Sequence, residues 1–174
     1  MMQPTHSSRR ILRPAKSRFI WLSFGIALML NLLPWGRLPG VPDWVALGLI
    51  FWCIHQPLRI GMGAGFLFGV LMDVADASVM GQHALAYVCL AFAATSLSRR
   101  VLWFPLAQQG LHVLPLLLGM QCLVLLIGLS GGGEFPGWGW FLASLTSALL
   151  WYPLTQVLLL PQLQPEEKDV HRPI

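Results

Sequence analysis

The stretch Gly61–Asp73, GMGAGFLFGVLMD, decides how this chain can fold. Glycine stands at positions 61, 65 and 69, and an aspartate follows at position 73. Because an α-helix repeats every 3.6 residues, positions four apart lie along one slightly slanted ridge. The ridge from Gly61 to Asp73 is about 18 Å long, at 1.5 Å per residue, and its three glycines leave it without side chains up to Asp73. The pattern predicts a helix that packs closely against a second helix, with a charge at the end of the contact.

The whole chain is too apolar for an ordinary soluble domain. Of its 174 residues, 56% are hydrophobic and 10% are charged, whereas about a quarter are charged in soluble domains. Apolar runs separated by short polar turns predict an all-α integral membrane protein with six transmembrane helices. The runs lie at about 18–34, 44–56, 60–75, 83–98, 111–129 and 138–160. The second and third are shorter than the roughly 20 residues of a span, so two short helices and a pair that enters and returns both remain open.

The distribution of basic residues predicts the orientation. Residues 1–18 form a basic segment, residues 19–160 the transmembrane domain, and residues 161–174 a polar tail. With both termini in the cytoplasm, ten of the eleven lysine and arginine residues lie on the cytoplasmic side. We expect the following residues at the membrane boundaries: Pro57 and Arg59 on the cytoplasmic side, and Pro42, Trp44 and Gly81 on the outer side.

The glycine ridge is the candidate helix-packing surface. Apolar side chains gain little by leaving lipid for one another, so membrane helices associate where small residues let their backbones approach. Gly61, Gly65 and Gly69 could therefore contact either another helix of this chain or a helix of a partner, and the sequence leaves both open. Asp73 lies at the outer end of the same ridge. We expect it to have a polar partner, because a carboxylate inside the membrane is costly.

The sequence offers no convincing catalytic site, cofactor site or metal site. The motif GLSG around Ser130 is similar to that of rhomboid-type intramembrane proteases, but such a serine needs a histidine base. The only histidine that follows it is His171, in the polar tail. Asp73, Asp76 and His83 are too few ligands for a metal, and phosphate-binding and dinucleotide-binding motifs are lacking. We therefore expect a protein that is not an enzyme, has no cofactor and does not bind nucleic acid.

Several short motifs occur in an order that is typical of one family. They are Pro42-Asp43-Trp44, Trp52, Pro57-Leu58-Arg59, Gly63-Ala64-Gly65, the run GVLMD at 69–73, the run GQHAL at 81–85, and Trp151-Tyr152-Pro153. By these motifs the chain resembles the rod shape-determining protein MreD family, from Phe19 to Leu160.

The resemblance implies a non-enzymatic subunit of the bacterial cell-elongation machinery in the inner membrane. Its partners would be membrane lipid and the bitopic protein MreC, and through MreC the MreB filament and the peptidoglycan synthases. The family fold is similar to the substrate-binding subunits of energy-coupling-factor transporters. A small-molecule-binding membrane subunit is therefore the alternative, and it would need an outer polar pocket. The candidates for such a pocket are Asn31, Asp73, His83 and Gln121. The sequence leaves open whether the chain forms a homodimer.

Overall fold

The structure is a computed structural model that describes residues 15–35 and 40–162. Within these ranges the chain forms six α-helices and no strand, so the prediction of an all-α fold is confirmed. The helices are α1 Ser17–Leu32, α2 Trp44–His55, α3 Met62–Ala75, α4 Gln82–Val101, α5 Leu106–Ser130 and α6 Leu142–Leu159. Short 3₁₀ turns, Trp138–Phe141 and Leu160–Gln162, flank α6. Most of the basic segment, most of the polar tail and Arg37 lie outside the described residues.

Helix α2 forms the centre of the bundle. All ten residues from Val45 to Ile54 are buried, as is typical of a helix that is apolar on every side. Helices α1, α3, α4 and α6 all contact α2. Around it, α3 packs on α4, α4 on α5, and α5 on α6. The shortness of α2, only 12 residues, therefore reflects a core position that its neighbours cover.

Two helical segments are long and apolar enough to cross a membrane by themselves. They are Leu106–Ser130 and Trp138–Gln162, each of 25 residues and about 37 Å long, against a hydrocarbon core of about 30 Å. In each segment, 28% of the most apolar stretch is buried within the bundle. Helices α1, α2 and α3 have 16, 12 and 14 residues. That all six helices span the membrane therefore stays a prediction.

The two ends of the bundle carry opposite charges. Consecutive helices alternate in direction, so the start of α1 and the α2–α3 turn lie at the same end. There the Arg59 guanidinium donates to the Ala15 carbonyl at 2.7 Å. We call this the basic end, because it carries the described lysine and arginine residues: Lys16, Arg18, Arg59, Arg99 and Arg100. The other end, the acidic end, carries the described carboxylates: Asp43, Asp73, Asp76 and Glu134.

Candidate functional site

The glycine ridge of α3 faces α4 of the same chain. A Cβ atom added to Gly65 would lie 2.6 Å from the Tyr87 carbonyl oxygen, and one added to Gly69 would lie 2.3 Å from the Cα of Ala84. These neighbours are backbone atoms, which cannot rotate away as a side chain can. Glycine at both positions is what lets the backbones of α3 and α4 approach this closely. The sequence left open whether these glycines contact another helix of this chain or a helix of a partner. In the structure, Gly65 and Gly69 contact a helix of the same chain.

Gly61 does not take part in this contact. It precedes the first residue of α3, and a Cβ atom added to it would meet nothing within 4 Å. Gly63, which lies off the ridge, has the same open surroundings. A contact between Gly61 and a partner protein therefore stays a prediction.

Asp73 ends the ridge because it caps the helix on which the ridge packs. One carboxylate oxygen accepts from the backbone N–H groups of Gly81 at 2.8 Å and Ala84 at 3.3 Å, and the other from that of His83 at 2.6 Å. The first N–H groups of a helix have no partner within the helix, and a carboxylate beside them also favours the helix dipole. Asp73 is almost fully buried, so these N–H groups are the polar partner that the sequence predicted.

The residue that precedes α4 cannot cap the helix itself. Gly81 has a φ of +95°, in the left-handed region that glycine adopts without strain. It has no side-chain oxygen, and Asp73 of the neighbouring helix supplies one instead. Ser78 adds a further hydrogen bond to Asp73, at 3.1 Å. Gly81 lies at the acidic end, the end that the sequence assigned to the outer boundary.

His83 joins Asp73 to a second carboxylate. Its Nδ1 lies 3.0 Å from Asp73 Oδ1, and its Nε2 lies 3.8 Å from Asp76 Oδ2. Partial removal from water raises the pKa of Asp76, His83 opposes that rise, and the charges of Asp43 and Asp73 reinforce it. Among the described residues no group of three or more histidine, cysteine or acidic side chains has the arrangement of a metal site.

Asp43 forms a second junction at the acidic end. It caps α2 by accepting from the Ala46 N–H at 2.9 Å, and it also accepts from the Asn31 amide at 3.0 Å and the Tyr87 hydroxyl at 2.6 Å. It thereby ties α1, α2 and α4 together. Sequence reasoning missed this role and placed only its neighbours Pro42 and Trp44 at the boundary. The signal was present, because an aspartate directly before an apolar run is typical of a helix start.

Two cavities that share lining residues open between the helix ends on this side. The inner one, of about 200 Å³, has Asn31, Asp43, His83, Gln121 and Trp140 among its lining residues. The outer one, of about 560 Å³, shares Asp76, His83 and Trp140 with the first, and Glu134 also lines it. Three of the four pocket candidates from the sequence thus come together. Asp73 does not join them, because the α4 N–H groups occupy its oxygens.

The side chain of Gln121 holds the wall of the inner cavity in place. Its amide nitrogen donates to the Trp140 carbonyl at 3.2 Å, and its amide oxygen accepts from the Ser144 hydroxyl. Gln121 belongs to α5, Trp140 to the turn before α6, and Ser144 to α6 itself. The three residues therefore fix the position of α6 beside the cavity.

An apolar groove of about 400 Å³ runs between α1 and α6. Leu22 and Ile26 line it from α1, Val157 lines it from α6, and Trp44 and Gly48 of α2 contribute to it as well. The indole nitrogen of Trp44 is withdrawn from solvent, yet it finds no hydrogen-bond acceptor among the described residues. Buried N–H donors almost always have a partner, so this one is an exception among the described residues.

The remaining sequence candidates fall at the helix ends. Pro57 lies in the turn between α2 and α3, beside Arg59 at the basic end. Pro42 lies before α2 at the acidic end and lines the inner cavity. The hydroxyl of Ser130 donates to the Ile127 carbonyl at 2.7 Å, within its own helix. Nothing in this contact activates Ser130 as a nucleophile.

Comparisons with known proteins agree on one family. The family model described as rod shape-determining protein MreD matches residues 13–160. A relative of the same description from Haemophilus influenzae is 30% identical, over 78% of this chain and 89% of the relative. No solved structure matches the chain significantly. The likeness to energy-coupling-factor transporter subunits that the sequence suggested is therefore not shown.

Proposed function

The chain belongs to the MreD family of rod shape-determining proteins, and from this premise we propose that it is a non-enzymatic inner-membrane scaffold of the cell-elongation machinery. In this role it helps maintain rod shape and organise peptidoglycan synthesis by holding partner proteins together. The family match over residues 13–160 carries the proposal. The internal hydrogen bonding of Ser130 and of Asp73 supports a structural role for these two polar groups.

The proposed topology has six membrane-spanning helices, with the basic end and both termini in the cytoplasm. The separation of charge supports it, because positive residues are retained on the cytoplasmic side of bacterial membranes. At this end the arginines can pair with lipid phosphates. The acidic end, with its two cavities, then faces the periplasm.

The proposed partner is a bitopic protein of the MreC type, which brings one transmembrane helix and connects the chain to the MreB filament and the wall synthases. Gly65 and Gly69 are occupied by α4, so we place the partner helix in the groove between α1 and α6. The groove is open to the side and lined mainly by apolar residues. A homodimer through the same groove is the competing arrangement.

The experiment uses a rod-shaped strain in which the only copy of this chain can be depleted. Depletion is expected to give round cells, and wild-type chain to restore rods. Val157→Trp fills the groove from α6, whereas Leu149→Trp places the same bulk on an exposed part of α6 that lines neither this groove nor the two cavities of the acidic end. The native side chains are 59% and 78% exposed, respectively. At equal membrane levels, Val157→Trp is expected to lose rod shape and co-purification with the bitopic partner, and Leu149→Trp to keep both.

Two outcomes would contradict this proposal. Depletion without any change of shape would refute the function. Equal rod shape and partner recovery for the two variants would refute the groove as the contact, while leaving the function standing.

A small-molecule-binding subunit is the second candidate, and the paired cavities at the acidic end favour it. The inner cavity brings together Asn31, His83 and Gln121, the kinds of polar groups that orient a ligand. His83→Leu together with Gln121→Leu would remove two of the polar side chains that line this cavity and leave Asn31, Asp43 and Asp76 in place. If that variant reached the membrane normally and bound the bitopic partner but failed to restore rods, a ligand role for the cavity would replace the pure scaffold. Normal rods would exclude it.

A further inference from the structure

We propose that the hairpin formed by α3 and α4 thins the bilayer beside it, so that the phospholipids along this edge form a hydrocarbon layer about 20–25 Å thick instead of about 30 Å. The inference rests on the proposed six-span topology and goes beyond the scaffold role. It assigns the outward face of α3 to lipid.

The length of α3 is the first observation. Its 14 residues make a helix about 21 Å long, which is roughly 9 Å shorter than an average hydrocarbon core. Unlike α2, it is not covered by neighbours on every side. Its outward side chains are large, apolar and exposed, namely Met62, Phe66, Leu67, Leu71 and Val74. The short helix therefore faces lipid directly.

Charged residues bracket α3 and prevent its ends from sinking into the hydrocarbon. Asp76 follows the helix directly, and its side chain is half exposed. A short carboxylate cannot reach far to find water, and a charge in hydrocarbon is costly. At the basic end, arginine can extend its side chain toward the surface. Arg59, however, is held beside the start of α1 by its bond to the Ala15 carbonyl.

The hairpin cannot adjust by sliding one helix along the other. Gly65 and Gly69 lie in backbone contact with α4, and Asp73 caps its first turn. Helix α4 has 20 residues and is about 30 Å long, but the stretch between His83 and the first arginine of its last turn, Arg99, is only about 24 Å. Tilting the rigid hairpin would only shorten its span further, so the bilayer has to adapt.

Charge complementarity supports phospholipid as the occupant of this edge. Arg59, Arg99 and Arg100 surround the basic end of the hairpin, where lipid phosphates would lie. In contrast, α5 has 25 residues and is long enough for a bilayer of full thickness. The protein would therefore present a thin edge at the hairpin and a full-length edge at α5.

The test compares two cysteines that each lie one residue before the end of a helix at the acidic end. Val74→Cys reports on α3 and Leu129→Cys on α5, in the full chain with its three native cysteines changed to alanine. The native side chains are 66% and 44% exposed. The purified protein is reconstituted at low density in liposomes of phosphatidylcholine and phosphatidylglycerol with 18-carbon or 14-carbon monounsaturated chains. A membrane-impermeant maleimide is added, and labelling is normalised to that of Glu134→Cys.

With a thinned bilayer, Val74→Cys is labelled within threefold of the rate of Leu129→Cys in 18-carbon lipid, and equally fast in 14-carbon lipid. Met62→Cys, at the other end of α3, becomes equally reactive once the liposomes are permeabilised. Labelling of Val74→Cys more than tenfold slower in 18-carbon lipid, with recovery in 14-carbon lipid, would overturn the inference. So would a Met62→Cys that stays protected after permeabilisation, because the hairpin would then be displaced toward one surface.

Failure of the topology gives a different result. In the same liposomes Glu134→Cys and Arg99→Cys are expected to label from opposite sides. Labelling of both from one side would refute the six-span arrangement itself, on which the inference depends.

Discussion

Replacing Gly69 by alanine tests the close contact between α3 and α4. The added methyl group would lie 2.3 Å from the Ala84 Cα and 2.6 Å from the His83 carbonyl oxygen, whereas ordinary contacts begin near 3.4 Å. The two backbones must therefore separate by about 1 Å. Because Asp73 caps α4 one turn further along, the same movement lengthens its hydrogen bonds to the His83 and Ala84 N–H groups.

The expected loss follows from two terms. Forcing a methyl group into a closely packed contact costs about 1–3 kcal/mol, and weakening a helix cap costs about 1 kcal/mol. The free energy of unfolding should therefore fall by roughly 2–4 kcal/mol. Gly63→Ala is the matched control, because its added methyl group meets nothing within 4 Å. Both changes gain up to about 1 kcal/mol of helix propensity, so the difference between them isolates the clash.

The assay is reversible unfolding in detergent micelles, followed by tryptophan fluorescence and circular dichroism for wild type, Gly63→Ala and Gly69→Ala. We expect Gly63→Ala to be at least as stable as wild type, and Gly69→Ala to unfold at a lower denaturant concentration. If the two variants were equally stable, the close approach of α3 and α4 would be wrong, and the glycine ridge would be free for a partner.

Three further substitutions test the polar junctions in the same unfolding assay. Asp73→Asn should lower the free energy of unfolding by about 1–3 kcal/mol. Both carboxylate oxygens of Asp73 accept from backbone N–H groups, so in either orientation the NH₂ group of asparagine would face one of these donors. Stability equal to wild type would contradict the capping role. Tyr87→Phe removes the 2.6 Å hydrogen bond to Asp43 and should lower the free energy of unfolding by about 1.5–3 kcal/mol. An unchanged free energy would mean that this hydrogen bond does not stabilise the junction at Asp43. Gln109→Leu removes the acceptor of the Trp151 indole N–H and should cost about 1 kcal/mol, in the range of polar contacts between membrane helices; a more stable variant would show that the amide is not needed to join α5 and α6.

The apolar runs predicted the helices well, because long apolar runs between polar turns leave few alternatives. The predicted segment 44–56 became α2 at Trp44–His55, and the segment 60–75 became α3 at Met62–Ala75. The segment 111–129 was too short at its start, since α5 begins at Leu106. Gln108 and Gln109 are the polar residues of that first part, and the Gln109 side chain turns inward and pairs with Trp151.

The partner of the glycine ridge could not be predicted from the sequence. A four-residue spacing of glycines indicates that a backbone approaches, but it does not identify which helix supplies that backbone. The same holds for Asp73, whose need for a polar partner was clear while the partner was not. The missing information is tertiary, because the fold brings Gly69 against Ala84 across the intervening turn that contains Ser78 and Gly81. The Asp43 junction joins residues 12 and 44 positions away in sequence, and no local pattern encodes that.

Photocrosslinking in growing cells tests the scaffold account most directly. A photoreactive amino acid is placed at Val157 in the groove between α1 and α6, at Leu149 elsewhere on α6, and at Phe66 on the outward face of α3. The account predicts that position 157 captures the bitopic MreC-type partner, and that positions 149 and 66 do not. Capture of that partner at position 66 or 149, with none at position 157 at equal membrane levels, would contradict the proposed seat of the partner helix.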